Sequence, residues 1–192
     1  MAKKVPTVGI IAEADSDVDS ARVLIHRIAN NDHIGVRKHV GNGCGKLKRK
    51  CRDWSKDLKE KGCSRLVLIH DLDGKDLNRL SRAIQESLYP LPIRLNLICI
   101  PVQEFEAWFL SDPQAIQSSM HLKHTPAIKA PPETIDSPKE YLGELIHKAS
   151  VGEKIYISTK HNVKISQALS IALTLNRCPS FIPFYNFIRT HF

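Results

Sequence analysis

No stretch of the 192-residue chain is apolar for long enough to cross a bilayer. The longest run, Val5 to Ala12, falls far short of the roughly 20 residues a spanning helix needs. The opening Met1-Ala2-Lys3-Lys4 lacks the apolar core and cleavage site of a signal peptide, so the expectation is a soluble, cytoplasmic protein without a membrane partner. Cysteine is scarce: Cys44, Cys51, Cys63, Cys99 and Cys178 are odd in number and form no C-x-x-C pair. That removes a disulfide framework and a zinc finger and leaves reduced thiols as the default. Internal repeats and low-complexity tracts are missing too, which excludes a solenoid. Gly41-Asn42-Gly43-Cys44-Gly45-Lys46 has the wrong spacing for a P-loop, and Leu47 stands where Ser or Thr would help hold Mg²⁺. Such a loop opening a helix either presents N–H groups to a phosphate or forms a plain turn.

What the chain does have is positive charge in one place. Lys and Arg number 28 against 20 Asp and Glu, a formal charge of +8, and more than half of it sits between Lys46 and Lys61. Leu47, Cys51, Trp54 and Leu58 recur there at helical spacing, so the segment reads as an amphipathic helix with a basic outer face. Lys46, Lys48, Arg49, Lys50, Arg52 and Lys56 are the candidate nucleic-acid contacts, with an ordinary solvated face as the alternative.

Along the first 112 residues apolar strands alternate with helices. Val8 to Ala12 precedes a helix over Val18 to Ile28, and Ile34 to Val40 leads into the basic helix. Leu66 to Ile69 precedes a helix carrying Leu77, Leu80, Ile84 and Leu88 on one face; Leu95 to Ile100 precedes a short helix over Glu104 to Leu110. This order implies right-handed crossovers and a Rossmann-like parallel sheet flanked by helices over residues 1–112. From residue 113 to 192 prolines punctuate the sequence, and Tyr141 to Ala149 and Ile165 to Leu175 read as helices of a C-terminal extension packed on that domain. Pro179 and Pro183 are expected to break the remaining C-terminal segment.

The functional edge of a parallel sheet lies beyond the carboxyl ends of its strands. There the sequence places Glu13, Asp15 and Asp17 after the first strand, Asp71 and Asp73 after the third, and Glu104 and Glu106 after the fourth. Clustered carboxylates raise one another's pKa unless a cation neutralises them, and an all-oxygen set suits Mg²⁺ or Mn²⁺. Each acid also has an ordinary alternative: Asp15 or Asp17 as helix caps, Asp73-Gly74 as a turn, Glu104 and Glu106 as complements of a helix dipole. His121 with His124, or Cys44 with Cys51, are too few for a metal site.

Glu13 after a first strand and Asp71-Leu72-Asp73 after a later one resemble the TOPRIM domain of topoisomerases, bacterial primases and OLD (overcoming lysogenization defect) nucleases. The segments Val102 to Leu110, Tyr156 to Lys160 and Arg177 to Phe181 are similar to small stand-alone TOPRIM-like proteins, often encoded beside an ATPase in bacterial defence loci. That resemblance implies a TOPRIM-like fold and a metal-dependent nuclease acting on DNA or RNA in anti-phage defence, with an ATPase partner and the oligomeric state left open. It makes Glu13 a metal ligand or general acid/base, Asp71 and Asp73 metal ligands, Glu104 the further acid for a second ion with Glu106 as the alternative, and Lys160 the lysine near the scissile phosphate. Ala14-Asp15-Ser16-Asp17 departs from the commoner Gly-x-Thr/Ser-Asp/Glu pattern and leaves Asp17 as its last acid.

Two alternatives stay open. A non-catalytic TOPRIM-like module would bind nucleic acid or the ATPase without hydrolysis. Ile69-His70-Asp71-Leu72-Asp73-Gly74 also resembles the nucleophile motif of haloacid-dehalogenase-type phosphatases, in which the first Asp attacks phosphorus. Lys75 stands where that motif carries Thr, and the motif here comes after two strand–helix units instead of opening the domain.

Overall fold

A computed structural model describes residues 6–41 and 44–192. Asn42 and Gly43 of the glycine-rich loop, the opening residues 1–5 and the side chain of Cys44 lie outside the described residues. Strands β1 (Thr7–Ala12), β2 (Gly35–Val40), β3 (Arg65–Ile69) and β4 (Asn96–Cys99) form one all-parallel sheet in the order β2-β1-β3-β4. Helices α1 (Asp15–Ala29), α2 (Cys44–Glu60) and α3 (Leu77–Leu88) make the crossovers. The architecture is a Rossmann-like α/β fold, and the two-residue period of the strands sorts its core. Val8, Ile10, Ala12, Val67, Ile69 and Cys99 pack with the apolar face of α1. Ile11, Leu66 and Leu68 pack with Leu47, Cys51 and Leu58 of α2 and with Leu80, Ile84 and Leu88 of α3. Gly9 lets α2 approach, because a Cβ there would lie 2.8 Å from Leu58 Cδ1.

The chain continues through α4 (Glu106–Phe109), α5 (Pro113–Met120), a 3₁₀ turn at Pro132–Thr134, α6 (Pro138–Ala149), α7 (Ser158–Ala168), α8 (Ile171–Arg177) and α9 (Phe181–His191). These helices extend the α1-side core, since Leu142, Ile146, Ile165, Phe181, Phe184 and Ile188 are buried in one cluster with Val8 and Leu24. Trp108 lies at its centre, with ring centroids 4.6 Å from Phe105 and 4.9 Å from Phe181, and its indole N–H donates to Ser180 Oγ at 2.9 Å.

Three local expectations are corrected. The helix expected over Ile165 to Leu175 is two, α7 and α8, because Ser170 interrupts it: its N–H donates to Asp112 Oδ2 at 2.8 Å and its Oγ caps Leu173 N–H at 3.3 Å. Asp112 also caps α5, a helix the proline-rich texture concealed, by accepting from Ala115 N–H at 3.0 Å. Pro183 does not break the C-terminal segment; it is the third residue of α9, where a helix N–H has no internal partner to lose.

The pairing of β3 with β4 runs on beyond both strands. Leu72 N–H donates to Pro101 O at 3.1 Å, Asp73 N–H to Gln103 O at 3.0 Å, and Gly74 N–H to Gln103 Oε1 at 2.8 Å. Asp73 and Gln103 both adopt left-handed backbone (φ +48° and +61°), so the two loops turn together at the carboxyl edge of the sheet.

Candidate functional site

Asp71 lies just past the last residue pair of β3 and stands at the middle of the acidic edge. Its Oδ1 accepts Phe105 N–H at 3.0 Å, tying it to the loop after β4. Burial, and then the charges of Asp17, Glu106, Glu13 and Asp73, push its carboxyl well above the ordinary range. Asp17, buried in the first turn of α1, accepts Ala14 N–H at 3.2 Å. Burial and the charge of Glu106 nevertheless raise it to about 7, against the opposing charge of Lys139. Glu104 is raised by burial and by Glu106 and Asp73, and it accepts Lys139 N–H at 2.8 Å. The three strand ends thus bring Glu13, Asp17, Asp71, Asp73, Glu104 and Glu106 into one electrostatically connected group. Asp15 stays outside it, exposed and paired with Lys38 at 2.5 Å.

Glu106 is the acid most firmly held. It is only 4% exposed, and its Oε1 accepts Tyr156 O–H at 3.0 Å and Asn162 Nδ2–H at 3.3 Å. The single phenolic proton of Tyr156 is shared between Glu106 Oε1 and Asn162 Oδ1, and burial together with Glu106 raises the phenol above the usual range. Glu104, in the loop after β4, is half-buried, with its carboxylate at the start of α6. Both acids that the sequence left as alternatives therefore reach the edge, with Glu106 the more central.

His70, fully buried at the end of β3, places Nδ1 2.7 Å from Asp71 O and 3.0 Å from Glu13 Oε1. A carbonyl oxygen only accepts, so Nδ1 carries the proton. Glu13 Oε1 is buried without a well-aligned hydrogen bond, and His70 Nε2 likewise. Of the two, the orphaned carboxylate oxygen of Glu13 fits a hard cation. Among the described residues, however, no three His, Cys, Asp or Glu side chains converge on one ion as they stand. The hydrogen bonds to Ala14, Phe105, Lys139 and Tyr156, and the 2.7 Å pair of Asp73 with Lys75, account for where the carboxylates point.

Lys139 of α6 is the lysine among the charges acting on Asp17 and Glu104. Lys160, expected beside the reacting phosphate, is exposed on α7, where it adds with Lys164 and Lys154 to the burial that holds the His161 pKa below its ordinary value. Of the basic candidates on α2, Lys46, Arg49, Lys50, Arg52 and Lys56 are exposed and Lys48 is half-buried, opposite the buried Leu47, Cys51 and Leu58. Tyr156, Asn162 and Lys139 were not legible as site residues; only the position of Tyr156 at the head of the Tyr156-to-Lys160 segment marked one of them.

The profile of a domain of unknown function (DUF4276) matches residues 13–189. The chain belongs to this family. No curated protein and no solved structure matches it. The family's matched span takes in every acid of the edge, from Glu13 to Glu106, as well as Lys139, Tyr156 and Asn162.

The raised acids give a pH dependence with a definite sign. Asp17 and Asp71 bind protons more tightly folded than unfolded, so their contribution favours the fold below about pH 4 and is lost as pH rises toward 7 and beyond. In chelator the melting temperature is expected to fall between pH 5 and pH 8, by on the order of 5–10 °C from these groups. Calorimetry of the parent and of Asp17→Asn checks this: the variant retains an acceptor for Ala14 N–H and should show a flatter decline.

Proposed function

We propose that the protein is a Mg²⁺- or Mn²⁺-dependent nuclease of the TOPRIM type, acting on DNA or RNA in anti-phage defence with an ATPase partner. The observation that carries the reading is the gathering of six carboxylates at the carboxyl edge of a parallel sheet, with Asp17 and Asp71 raised by burial and mutual repulsion. That electrostatic strain is what a bound cation relieves. Glu13, Asp71, Asp73 and Glu106 would hold the metal, with Asp17 and Glu104 flanking them. The ion supplies an activated water and a counter-charge for the leaving oxygen.

The chain's own groups set up that chemistry. Phe105 N–H fixes one oxygen of Asp71, Tyr156 and Asn162 fix one oxygen of Glu106, and His70 donates its Nδ1 proton to Asp71 O with Glu13 Oε1 alongside at 3.0 Å. The basic face of α2 holds the phosphodiester backbone. A second reading, a module that binds nucleic acid or the ATPase without cleaving, is favoured by the absence of three convergent ligands among the described residues.

The test incubates purified protein with a plasmid, a tRNA pool and a generic phosphomonoester, from chelator to excess Mg²⁺ or Mn²⁺, with and without the ATPase. Cleavage of nucleic acid that needs metal, with no monoester turnover, is expected. Monoester turnover without nucleic acid cleavage would put the phosphatase in its place, and binding without cleavage in any metal would leave the non-catalytic module.

A further inference from the structure

Helices α2 and α3 pack side by side on one face of the sheet, and the seam between them opens into two cavities. The first, about 490 Å³, is lined by Lys48 of α2 and by Lys75, Asp76, Arg79, Leu80 and Ala83 at the start of α3. The second, about 590 Å³, is lined by Lys56, Lys59 and Glu60 near the end of α2 and by Pro90, Leu91 and Pro92 beyond the end of α3. Five cations thus meet two acids along the seam, and Asp76 is already engaged in capping α3 through Arg79 N–H at 2.7 Å. Among the described residues no carboxylate lies within ion-pair distance of Lys48, Lys56, Lys59 or Arg79.

The two ends of the seam differ in chemistry. The near end abuts the acidic edge, because Lys75 is paired with Asp73 at 2.7 Å. At the far end Leu91, 43% exposed, lines the cavity with Lys56 and Lys59, and Tyr89, 74% exposed, immediately precedes Pro90 of that lining. From Lys48 to Lys59 the helix rises about 17 Å, enough to follow a few consecutive phosphates.

We propose that the α2–α3 seam is a track for a single strand of nucleic acid, its phosphates on Lys48, Arg79, Lys56 and Lys59 and an unstacked base on Tyr89. The proposal rests on the nucleic-acid reading above and deepens it by naming the strand and its path. A polyanion answers the row of cations, and an exposed ring next in the chain to the groove's lining offers a platform on which a base with a free π-face stacks. A duplex keeps its bases stacked and offers Tyr89 nothing but its backbone.

Fluorescence anisotropy in chelator measures binding with cleavage switched off. The probes are a labelled oligothymidylate and oligouridylate of about 15 nucleotides, within the range a single-strand site covers, and a blunt duplex of the same length. The single strands should bind at least about tenfold more tightly than the duplex, and comparison of the two sugars shows whether the track prefers DNA or RNA. Tyr89→Ala should weaken single-strand binding about tenfold while Tyr89→Phe leaves it nearly unchanged. Lys48→Gln, Lys56→Gln and Arg79→Gln together should lower the salt slope by about 2, at roughly 0.7 per phosphate contact. The control triple Lys123→Gln, Lys129→Gln and Lys148→Gln removes equal charge outside the seam and should leave the slope as it was. Equal binding of strand and duplex with no effect of Tyr89→Ala, or an equal loss in the control triple, overturns the track. Failure of the nuclease reading is separate: it shows as intact single-strand binding with no cleavage when metal is restored.

Discussion

Asp71→Asn is expected to melt about 5 °C above the parent in chelator at pH 8 and to lose nucleic acid cleavage by at least roughly 100-fold in Mg²⁺. The two effects share one cause. The carboxyl is buried and feels the charges of Asp17, Glu106, Glu13 and Asp73, so ionising it in the folded state costs stability that the neutral amide does not forfeit. Asparagine keeps an oxygen for Phe105 N–H, which Asp71 accepts at 3.0 Å; alanine would leave that donor without its partner, at about 1–3 kcal/mol. Asn therefore separates charge from hydrogen bonding, and Asp71→Ala should show a smaller gain in melting temperature or none. Thermal melts with and without Mg²⁺, beside a plasmid and tRNA cleavage series, decide the matter. A variant that melted lower than the parent in chelator yet cleaved at the parental rate would make Asp71 a structural acid.

The same carboxylate shows what the sequence made readable. Strands and crossover helices emerge from apolar periodicity, and the face of Leu77, Leu80, Ile84 and Leu88 matches the helix at Leu77–Leu88. The acids at the strand exits needed only the rule that parallel strands point their carboxyl ends to one edge. Their partners needed the tertiary structure. Asn162 meets Glu106 across 56 residues, Tyr156 across 50, and Lys139 meets Glu104 across 35, and no spacing rule joins residues that far apart. The choice between Glu104 and Glu106 was hidden for a related reason. Gln103, with φ of +61°, turns the chain just before them, so neither strand alternation nor helical periodicity fixes which acid points inward. The break at Leu169–Ser170 depends on Asp112, a cap 58 residues away.

In the proposed nuclease Glu106 would take the role that the resemblance gives first to Glu104, and substitution tests the difference. Glu106→Gln is expected to reduce metal-dependent cleavage more than Glu104→Gln does, because Glu106 is buried and bears on Asp17, Asp71 and Glu104 at once, whereas Glu104 is half-buried and already engaged by Lys139 N–H. Removing its charge should also lower the pKa of Asp17 from about 7 toward the ordinary carboxylate range, so the decline of stability with pH in chelator shifts to lower pH. Tyr156→Phe is the milder companion. It deletes one of the two donors to Glu106 Oε1 and leaves the ring, so cleavage should fall about 10–100-fold, in the range found for groups that orient a metal ligand, and excess Mn²⁺ should restore part of it by mass action. Titration of Mn²⁺ monitored by electron paramagnetic resonance reads the same loss without reference to turnover. A haloacid-dehalogenase-type phosphatase drawing its nucleophile from Asp71 has no such dependence on Glu106. Monoester turnover that vanished in Asp71→Asn but persisted in Glu106→Gln and Tyr156→Phe, with no cleavage of either nucleic acid, would therefore replace the nuclease with the phosphatase.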